Sequence, residues 1–287
     1  MKKWLTKVVL AALALLAIFL IIEIARSPGV DGVQLYFFDV GQGDSILIQK
    51  GNYQILIDGG PDDEALLQLG RAMPLIDRNI EVLILTHPHA DHLTGINQIL
   101  ERYKIDQIYF NGTTHTSNGY LEFLHKIKDK NITVNVPVIN QKTTIFENAE
   151  LTFLSPGEKY KNQSIENLNN TSEVVKFCYY SECALLLGDL ETDGQGEMFA
   201  ELDSRQINYQ TSILKIAHHG STNGTDQTTL DKIKPQYAVI EVGADNKFGH
   251  PHAATIDLLN RAGVKTYRTD RDGTVEFVLK EGQIEIK

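Results

Sequence analysis

Three histidines and an aspartate lie within "THPHADH", the stretch Thr86–His92. His87 and His89 are two residues apart on a segment that reads as extended, so their side chains point to the same side of the chain. Asp91 and His92 follow at the predicted start of a helix and face a neighbouring point. Grouping imidazoles in this way brings no packing benefit. One imidazole pair beside one carboxylate–imidazole pair suits two adjacent transition-metal ions better than one. The alternative is a polar helix start that Asp91 caps, and we favour the metal site.

Further candidate ligands come at the ends of other apolar segments. "ALLLGDL" delivers Asp189 after a strongly apolar run, where a carboxylate without a ligand or partner would be costly. "LKIAHHGS" ends a second such run in His218 and His219, and "FGHPH" adds His250 and His252. Seven of the nine histidines therefore fall in three segments. The sequence predicts that these segments complete the metal site.

The elements that must position these residues alternate between strands and helices. Strands cluster early in the chain and then alternate with helices in both halves, which predicts two sheets packed together with helices outside. The strand "IEVLILT" leads directly into the histidine cluster, and "DHLTGINQILERY" has the periodicity of a helix. Other predicted strands include "ITVNVPVI" (132–139) and "KTYRTD" (265–270). We expect one α/β (α+β) domain over residues 33–287.

The N-terminus carries three lysines ahead of an unbroken apolar run, Val8–Ile22. This run is long for a signal peptide and short for a membrane span, so an uncleaved anchor, a cleaved signal and a buried helix are the alternatives, of which we favour the anchor. Because the lysines precede the run, the body is expected outside the cytoplasm, at the cell membrane or secreted. The chain thus divides into a cytoplasmic Lys cluster with an anchor or signal segment (1–26), a linker (27–32) and the body (33–287).

Charge and cysteine content limit the functional classes. The formal net charge is −10, from 27 basic and 37 acidic residues, and a body this acidic lacks the basic face that bulk nucleic-acid binding needs.

Two cysteines are too few for a cysteine-based zinc site. A two-residue turn at Tyr180–Ser181 would place Cys178 opposite Cys183 on neighbouring strands, within disulfide range. An exported body predicts this disulfide, whereas a cytoplasmic body predicts two free thiols.

The motifs resemble those of the metallo-β-lactamase superfamily, for which "THPHADH" is the signature. "FDVGQGDSILI", "LIDGG", "LLLGDLE", "LKIAHHGS", "GHPH" and "YRTDRDGTVEF" are similar to the extracellular hydrolase domain of ComEC-type competence proteins, in order over Leu35–Phe277. The resemblance implies a four-layer αββα sandwich, with the active site at one edge between the two sheets. It also implies two divalent metal ions, zinc or manganese.

The resemblance further implies roles for the matching residues. The implied ligands are His87 and His89 for the first ion, Asp91, His92 and His219 for the second, and Asp189 as the bridge between them. Asp58 would orient a ligand, while Asp39 and Asp44 match positions that turn chemistry in a Gly-rich loop explains equally well. The other supporting or substrate-contacting candidates are Asn170, Ser172, His218, Ser221 and His252.

One ligand of the superfamily pattern is missing. A third histidine normally serves the first ion from a position between the helix-opening motif and the bridging aspartate. Here only His115 and His125 lie in that interval, and neither follows a strand at the right place. The matching position falls near "NLNNTS", which contains Asn170 and Ser172. The resemblance therefore implies a first ion that is open or weakly held.

Together these features predict an exported metal-dependent hydrolase of the phosphodiesterase or nuclease type, acting on DNA or another nucleic acid. Asp91 and His250 would take part in catalysis, His250 by donating to the phosphate or to the leaving oxygen. The alternative is a phosphodiesterase for choline-phosphate or cell-wall phosphodiesters. A lactamase or thioester hydrolase ranks lower because those enzymes usually keep the third histidine, and a non-catalytic metal-binding module ranks lower still. The expected partners are a phosphodiester substrate and the membrane, and no protein partner is inferred.

Overall fold

A computed structural model describes residues 2–25 and 31–287 of the chain. Residues 26–30, which include most of the predicted linker 27–32, lie outside the described residues. The first helix, α1 (Lys2–Ala25), contains a stretch, Trp4–Ile22, that is long and apolar enough to cross a membrane by length and composition. Its 19 residues reach about 28 Å at about 1.5 Å per residue, close to the thickness of a bilayer core. The side chains of this stretch are exposed, which argues against the buried-helix alternative.

The body that follows is built from short strands and helices. Its strands are β1 (Val33–Phe37), β2 (Ile46–Lys50), β3 (Tyr53–Ile57), β4 (Asn79–Leu85), β5 (Lys104–Phe110), β6 (Thr133–Asn135), β7 (Gln141–Phe146), β8 (Ala149–Ser155), β9 (Val174–Tyr179), β10 (Glu182–Leu186), β11 (Ile213–Lys215), β12 (Tyr237–Ile240), β13 (Lys265–Arg268), β14 (Val275–Lys280) and β15 (Gln283–Ile286). Its helices are α2 (Glu64–Ala72), α3 (Ala90–Arg102), α4 (Asn118–Asp129), α5 (Thr192–Ser204), α6 (Gln227–Ile233), α7 (Ala253–Arg261) and α8 (Thr269–Asp272).

The strands form two sheets of mixed direction. The first has the order β15-β14-β1-β2-β3-β4-β5-β6, antiparallel from β15 to β3 and parallel from β3 to β6. The second has the order β13-β12-β11-β10-β9-β8-β7, with β10 to β13 parallel and the remaining pairs antiparallel. Each parallel half requires helical crossovers, and these supply the outer helices.

Apolar side chains on alternate strand positions hold the layers together. Ile57 and Ile84 of the first sheet and Phe177 of the second are fully buried between the sheets. The intervening positions turn outward, since successive side chains on a strand alternate between its faces. On the first sheet they pack under α2, α3 and α4, and on the second under α5, α6 and α7. The structure therefore confirms the predicted four-layer αββα sandwich.

Several predicted elements end elsewhere or were missed. The strand predicted over 132–139 is limited to β6, because Pro137 cannot donate a ladder hydrogen bond. The strand predicted over 265–270 stops at Arg268, and α8 begins at the next residue. The edge strands β7 and β15 were not predicted, because they are short or polar and their apolar side chains are only partly buried, which leaves a weak hydrophobic pattern.

The predicted hairpin register is confirmed. β9 and β10 are joined through Tyr180 and Ser181, with Tyr179 paired to Glu182. Cys178 therefore lies opposite Cys183, and the two form a disulfide. The two-residue connection leaves no room for a one-residue slip, which would have put the sulfurs on opposite faces.

Candidate metal centre

The carboxyl ends of the parallel strands of both sheets meet at one edge of the sandwich. Asp58 follows β3, and the segment Thr86–His92 follows β4 in the first sheet. From the second sheet, Asp189 follows β10, His219 follows β11 and Glu241 follows β12. Loops at the carboxyl ends of parallel strands are where α/β sheets commonly bind ligands. Residues far apart in sequence thereby converge on one point.

Asp58 fixes the start of the histidine cluster. One oxygen of its buried carboxylate accepts the Thr86 N–H at 2.8 Å. The other accepts the Thr86 hydroxyl at 2.7 Å and lies 2.7 Å from Nδ1 of His92. Asp58 adopts a φ of 59°, a left-handed conformation that aspartate tolerates better than most residues. This residue therefore orients a candidate ligand, the role that the resemblance implies for it.

Four donor atoms then gather around one point. Their residues are Asp91, His92, Asp189 and His219, and all but Asp91 are buried. Asp189 Oδ2 lies 3.3 Å from His92 Nε2 and 3.5 Å from His219 Nε2. Asp91 Oδ2 lies 3.3 Å from His219 Nε2 and 4.0 Å from His92 Nε2. Ligands about 2.0–2.1 Å from a tetrahedral ion are roughly 3.3–3.4 Å apart, so this set could hold a divalent metal ion.

The two imidazoles of this set present the correct nitrogen. Nδ1 of His92 is engaged by Asp58, and Nδ1 of His219 lies 2.9 Å from the backbone oxygen of Glu241. Nε2 of each ring is buried without a hydrogen-bond partner. A buried polar atom in that condition is costly unless something else satisfies it. A metal ion bound through both Nε2 atoms would satisfy them, and bonds to the other ring nitrogen are the usual support of a metal-binding histidine.

A second, looser group lies beside the first. His87 Nε2 is 3.0 Å from His89 Nδ1 and 4.0 Å from Asp189 Oδ2. Asp189 Oδ2 therefore adjoins both groups. Ser172 belongs to the "NLNNTS" segment, which the sequence resemblance matches to the third histidine; its hydroxyl lies 3.4 Å from Nδ1 of His87 and accepts the Asp189 N–H at 3.1 Å. Ser172 thus supports a histidine and the shared aspartate and brings no imidazole.

Asp44, Lys215 and Glu241 form a buried polar layer next to the donors. The Lys215 ammonium forms an ion pair with Asp44 Oδ2, lies 3.7 Å from Asp189 Oδ1 and donates to the Gly188 carbonyl at 3.0 Å. Asp44 Oδ1 is 3.3 Å from Nδ1 of His219. Of the two readings for Asp44, the structure therefore favours a place in the site over turn chemistry.

Charges in this layer set the protonation of its members. Burial alone would lower the pKa of His219, but Asp189 and Asp44 raise it to about 10. Burial would also lower the pKa of Lys215, yet the surrounding carboxylates hold it above its ordinary value. Burial raises the pKa of Glu241 well above its usual range, and its Oε1 accepts the Ser45 N–H at 2.9 Å. The site is thus strongly cation-attracting, and a metal ion can take the place of the proton on His219.

The backbone separates the roles of His218 and His219. Both have φ near 50°, in the left-handed region, so the chain turns sharply at this pair. His219 is turned into the donor set, whereas His218 Nδ1 lies 3.5 Å from Glu191 at the partly exposed rim. The structure thus distinguishes two histidines that the sequence left as alternatives.

Four other candidate residues make their hydrogen bonds outside the donor set. Asp39 accepts the Gly41 N–H at 3.3 Å, which is turn chemistry, and Asn170 donates to Asp193 at 3.1 Å. Ser221 makes backbone bonds to His218 and Gly224, and its carbonyl accepts the Thr255 hydroxyl at 3.3 Å. His252 precedes α7 and accepts the Thr222 N–H at 3.0 Å.

His250 lies at the rim of the site. Its ring is 5.6 Å from that of His218 and 6.3 Å from that of His219, centroid to centroid. Its Nδ1 is buried without a hydrogen-bond partner. Burial and the charge of the neighbouring histidines lower the pKa of His250 to about 4. At neutral pH this imidazole is uncharged and can donate a hydrogen bond.

Sequence reasoning missed Lys215, Glu241 and Thr86. Each was visible as a polar or charged residue within or at the end of a buried apolar run: "SILKIA", "AVIEVG" and "VLILTH". A charge at such a position is costly unless it is paired, so it signals a partner. The signal does not say which partner, because the partners lie on other strands.

Comparison with known proteins agrees with this fold and identifies the family. Residues 38–243 match the family described as the metallo-beta-lactamase superfamily, and the chain belongs to that superfamily. Among solved structures, the metallo-beta-lactamase fold protein YhfI from Bacillus subtilis has a TM-score of 0.54 at 15% identity, covering 85% of this chain and 99% of that one. CmlA, a diiron beta-hydroxylase from Streptomyces venezuelae, has a TM-score of 0.57 at 13% identity, covering 88% and 55%. At such identities these likenesses concern the fold alone.

Curated relatives narrow the resemblance to competence proteins. ComE operon protein 3 of Bacillus subtilis is 25% identical over 264 residues, covering 84% of this chain and 32% of that protein. Competence protein ComA of Neisseria gonorrhoeae is 27% identical over 251 residues, covering 86% and 32%. The chain therefore spans about a third of the length of these relatives. The expected ComEC-type resemblance is confirmed, and the superfamily and the donor set together support a metal-dependent hydrolase.

Proposed function

We propose that this protein is a phosphodiesterase that uses two divalent ions, zinc or manganese, to cleave DNA or another nucleic acid. One observation carries the proposal: a single oxygen, Asp189 Oδ2, adjoins both the tight donor group and the His87–His89 pair. Because Ser172, from the segment that the sequence resemblance matches to the third histidine, supplies no imidazole, the His87–His89 side offers fewer donors. An open position there suits a phosphate oxygen of the substrate.

The residues of the site divide the work. When bound, the ions would supply Lewis acidity and a water of lowered pKa for attack on phosphorus. Asp58 and the Glu241 carbonyl hold His92 and His219 with Nε2 toward the ions. The positive charge of Lys215 partly neutralises the carboxylates of Asp44 and Asp189. His250, uncharged at neutral pH, donates a hydrogen bond to a phosphate oxygen at the rim.

The competence-protein relatives support a nucleic-acid substrate. A choline-phosphate or cell-wall phosphodiester would fit the same donors and is the alternative that the test must separate.

The apolar helix α1 supports attachment to a membrane, and the Cys178–Cys183 disulfide supports a body in an oxidising compartment outside the cytoplasm.

A substrate panel tests the proposal. The metal-free protein is reloaded with Mn²⁺ or Zn²⁺ and assayed with single-stranded DNA, double-stranded DNA, RNA, glycerophosphocholine, a penicillin and a thioester. We expect hydrolysis of nucleic acid and its loss in Asp189→Ala. Activity should be retained in the control variant Lys176→Met, because Lys176 is buried but has no contact with the donor set. Turnover of the penicillin or thioester without phosphodiester cleavage would contradict the proposal, and a preference for glycerophosphocholine would establish the alternative.

His250 has its own readout. His250→Ala should lower kcat on the phosphodiester while the metal content measured by elemental analysis stays unchanged, because this side chain is not among the donors. His250→Gln, which keeps an N–H donor, should recover part of the rate. A loss of metal in His250→Ala would place the residue among the ligands instead.

A further inference from the structure

An exposed aromatic side chain stands on the loop between β12 and α7. Phe248 has 64% of its surface exposed, more than any other large aromatic side chain in residues 31–287. A single exposed aromatic side chain is common on protein surfaces, so what matters here is where Phe248 lies relative to the metal centre.

Hydrogen bonds of a single side chain, Asn246, hold this loop together. The Asn246 carboxamide oxygen accepts the N–H groups of Phe248 at 3.1 Å and His250 at 2.9 Å. Its amide nitrogen donates to the carbonyls of Gly243 at 2.8 Å and His250 at 2.6 Å. One side chain thus ties the loop at four points. Phe248 is held outward by a structured loop.

The ring of Phe248 is connected to the metal centre through the ring of His250. It lies 5.6 Å from the His250 ring with an angle of 24° between the planes. The His250 ring in turn lies 6.3 Å from the His219 ring at 28°. A chain of three rings therefore leads from a metal-donor histidine through His250 to Phe248, whose side chain is largely exposed to solvent.

A flat aromatic group can stack on the exposed ring of Phe248. Bases of single-stranded nucleic acids stack on exposed aromatic side chains, and the contact tolerates any base because each has a π-face. A quaternary ammonium group such as choline is instead bound by a cage of several aromatic rings around the cation, and Phe248 offers one face. The geometry favours a planar base attached to a phosphodiester that sits in the centre.

We propose that Phe248 is a stacking platform for the nucleobase next to the phosphodiester that is cleaved, so that the 243–252 loop forms the single-strand-binding rim of the site. This inference rests on the proposed function. It assigns base contact to a stacking surface with little sequence preference, and it gives an acidic protein a way to hold a nucleic acid without a basic face.

The test compares Phe248→Ala, Phe248→Leu and Phe248→Tyr in the full chain with Mn²⁺. Each is given a short single-stranded oligonucleotide and the same oligonucleotide with abasic residues. Loss of a base–aromatic stack worth about 1–3 kcal/mol corresponds to roughly a 5- to 150-fold rise in KM. We expect that rise for the Ala and Leu variants on the intact oligonucleotide, little change for Tyr, and no difference among the proteins on the abasic one.

Direct binding separates failure of this inference from failure of the proposed function. Fluorescence anisotropy of the labelled oligonucleotides, measured with Ca²⁺ in place of Mn²⁺, reports affinity without relying on turnover. Equal affinity and KM of wild type and Phe248→Ala on the intact oligonucleotide, with DNA still cleaved, would overturn the stacking platform alone. So would full retention by Phe248→Leu, or an equal loss on the abasic ligand. No cleavage of any nucleic acid by the wild type would overturn the proposed function as well.

Discussion

Replacing Lys215 by methionine should destabilise the metal-free protein more than any surface lysine change. The ammonium is fully buried, paired with Asp44 and close to Asp189. Methionine has a similar length and no charge, so the packing changes little. The substitution leaves two carboxylates without their buried cation.

The structure sets the magnitude. At 3.7 Å between Lys215 Nζ and Asp189 Oδ1, and at an effective dielectric constant of about 20, the Coulomb attraction is about 4.5 kcal/mol before desolvation. Breaking a buried pair by removing one partner typically costs about 3–5 kcal/mol. We expect a loss in that range. In the Asp44→Asn background the same change should cost less, because part of the unpaired charge is already gone.

Urea unfolding in the presence of EDTA, followed by circular dichroism, measures the effect. Tryptophan fluorescence is unsuitable because the single tryptophan, Trp4, lies in α1 and not in the body. Lys176→Met is the matched control, since Lys176 is also buried but donates only to the Asn208 carbonyl, at 3.0 Å. Losing that single charge-assisted bond should cost at most about 1.5–3 kcal/mol. A Lys215→Met cost no larger than the control, or no difference between the two Asp44 backgrounds, would refute the reasoning.

The remaining predictions concern metal content and pH dependence. Asp189→Ala should lose both ions because its Oδ2 adjoins both donor groups, while His92→Ala should lose mainly one and His218→Ala none; elemental analysis decides, and full metal content in Asp189→Ala would rule out the shared position. Burial raises the pKa of Glu173 well above its ordinary value of 4.5, and neither of its carboxylate oxygens has a hydrogen-bond partner. The folded state therefore holds this proton more tightly than the unfolded state, so stability should fall as pH rises above about 4.5 towards the raised pKa. Glu173→Met should remove that fall and raise the melting temperature at pH 8 more than at pH 4; an identical pH profile in the variant would contradict it.

Local sequence by itself determined the features that depend on neighbours along the chain. A buried strand followed by His87, His89 and a helix-opening Asp91–His92 pair specifies a donor cluster, because strand and helix periods fix which side chains share a side. The two-residue connection at Tyr180–Ser181 specified the register of β9 and β10 and hence the cysteine pairing. The apolar length of Val8–Ile22 likewise sufficed to identify a candidate membrane span.

Only the tertiary structure decided which residues meet across the two sheets. Asp44 comes from a loop of the first sheet, Lys215 from the end of β11 and Glu241 from the residue after β12, and no spacing along the chain encodes their contact. The left-handed turn at His218 and His219 chose one of two adjacent imidazoles, since its geometry is imposed by the loops packed around it. The edge strands β7 and β15 escaped prediction for a related reason. Each is a strand because it hydrogen-bonds to a neighbouring strand. The hydrophobic pattern of a segment predicts only which side chains it buries, so it does not reveal that pairing.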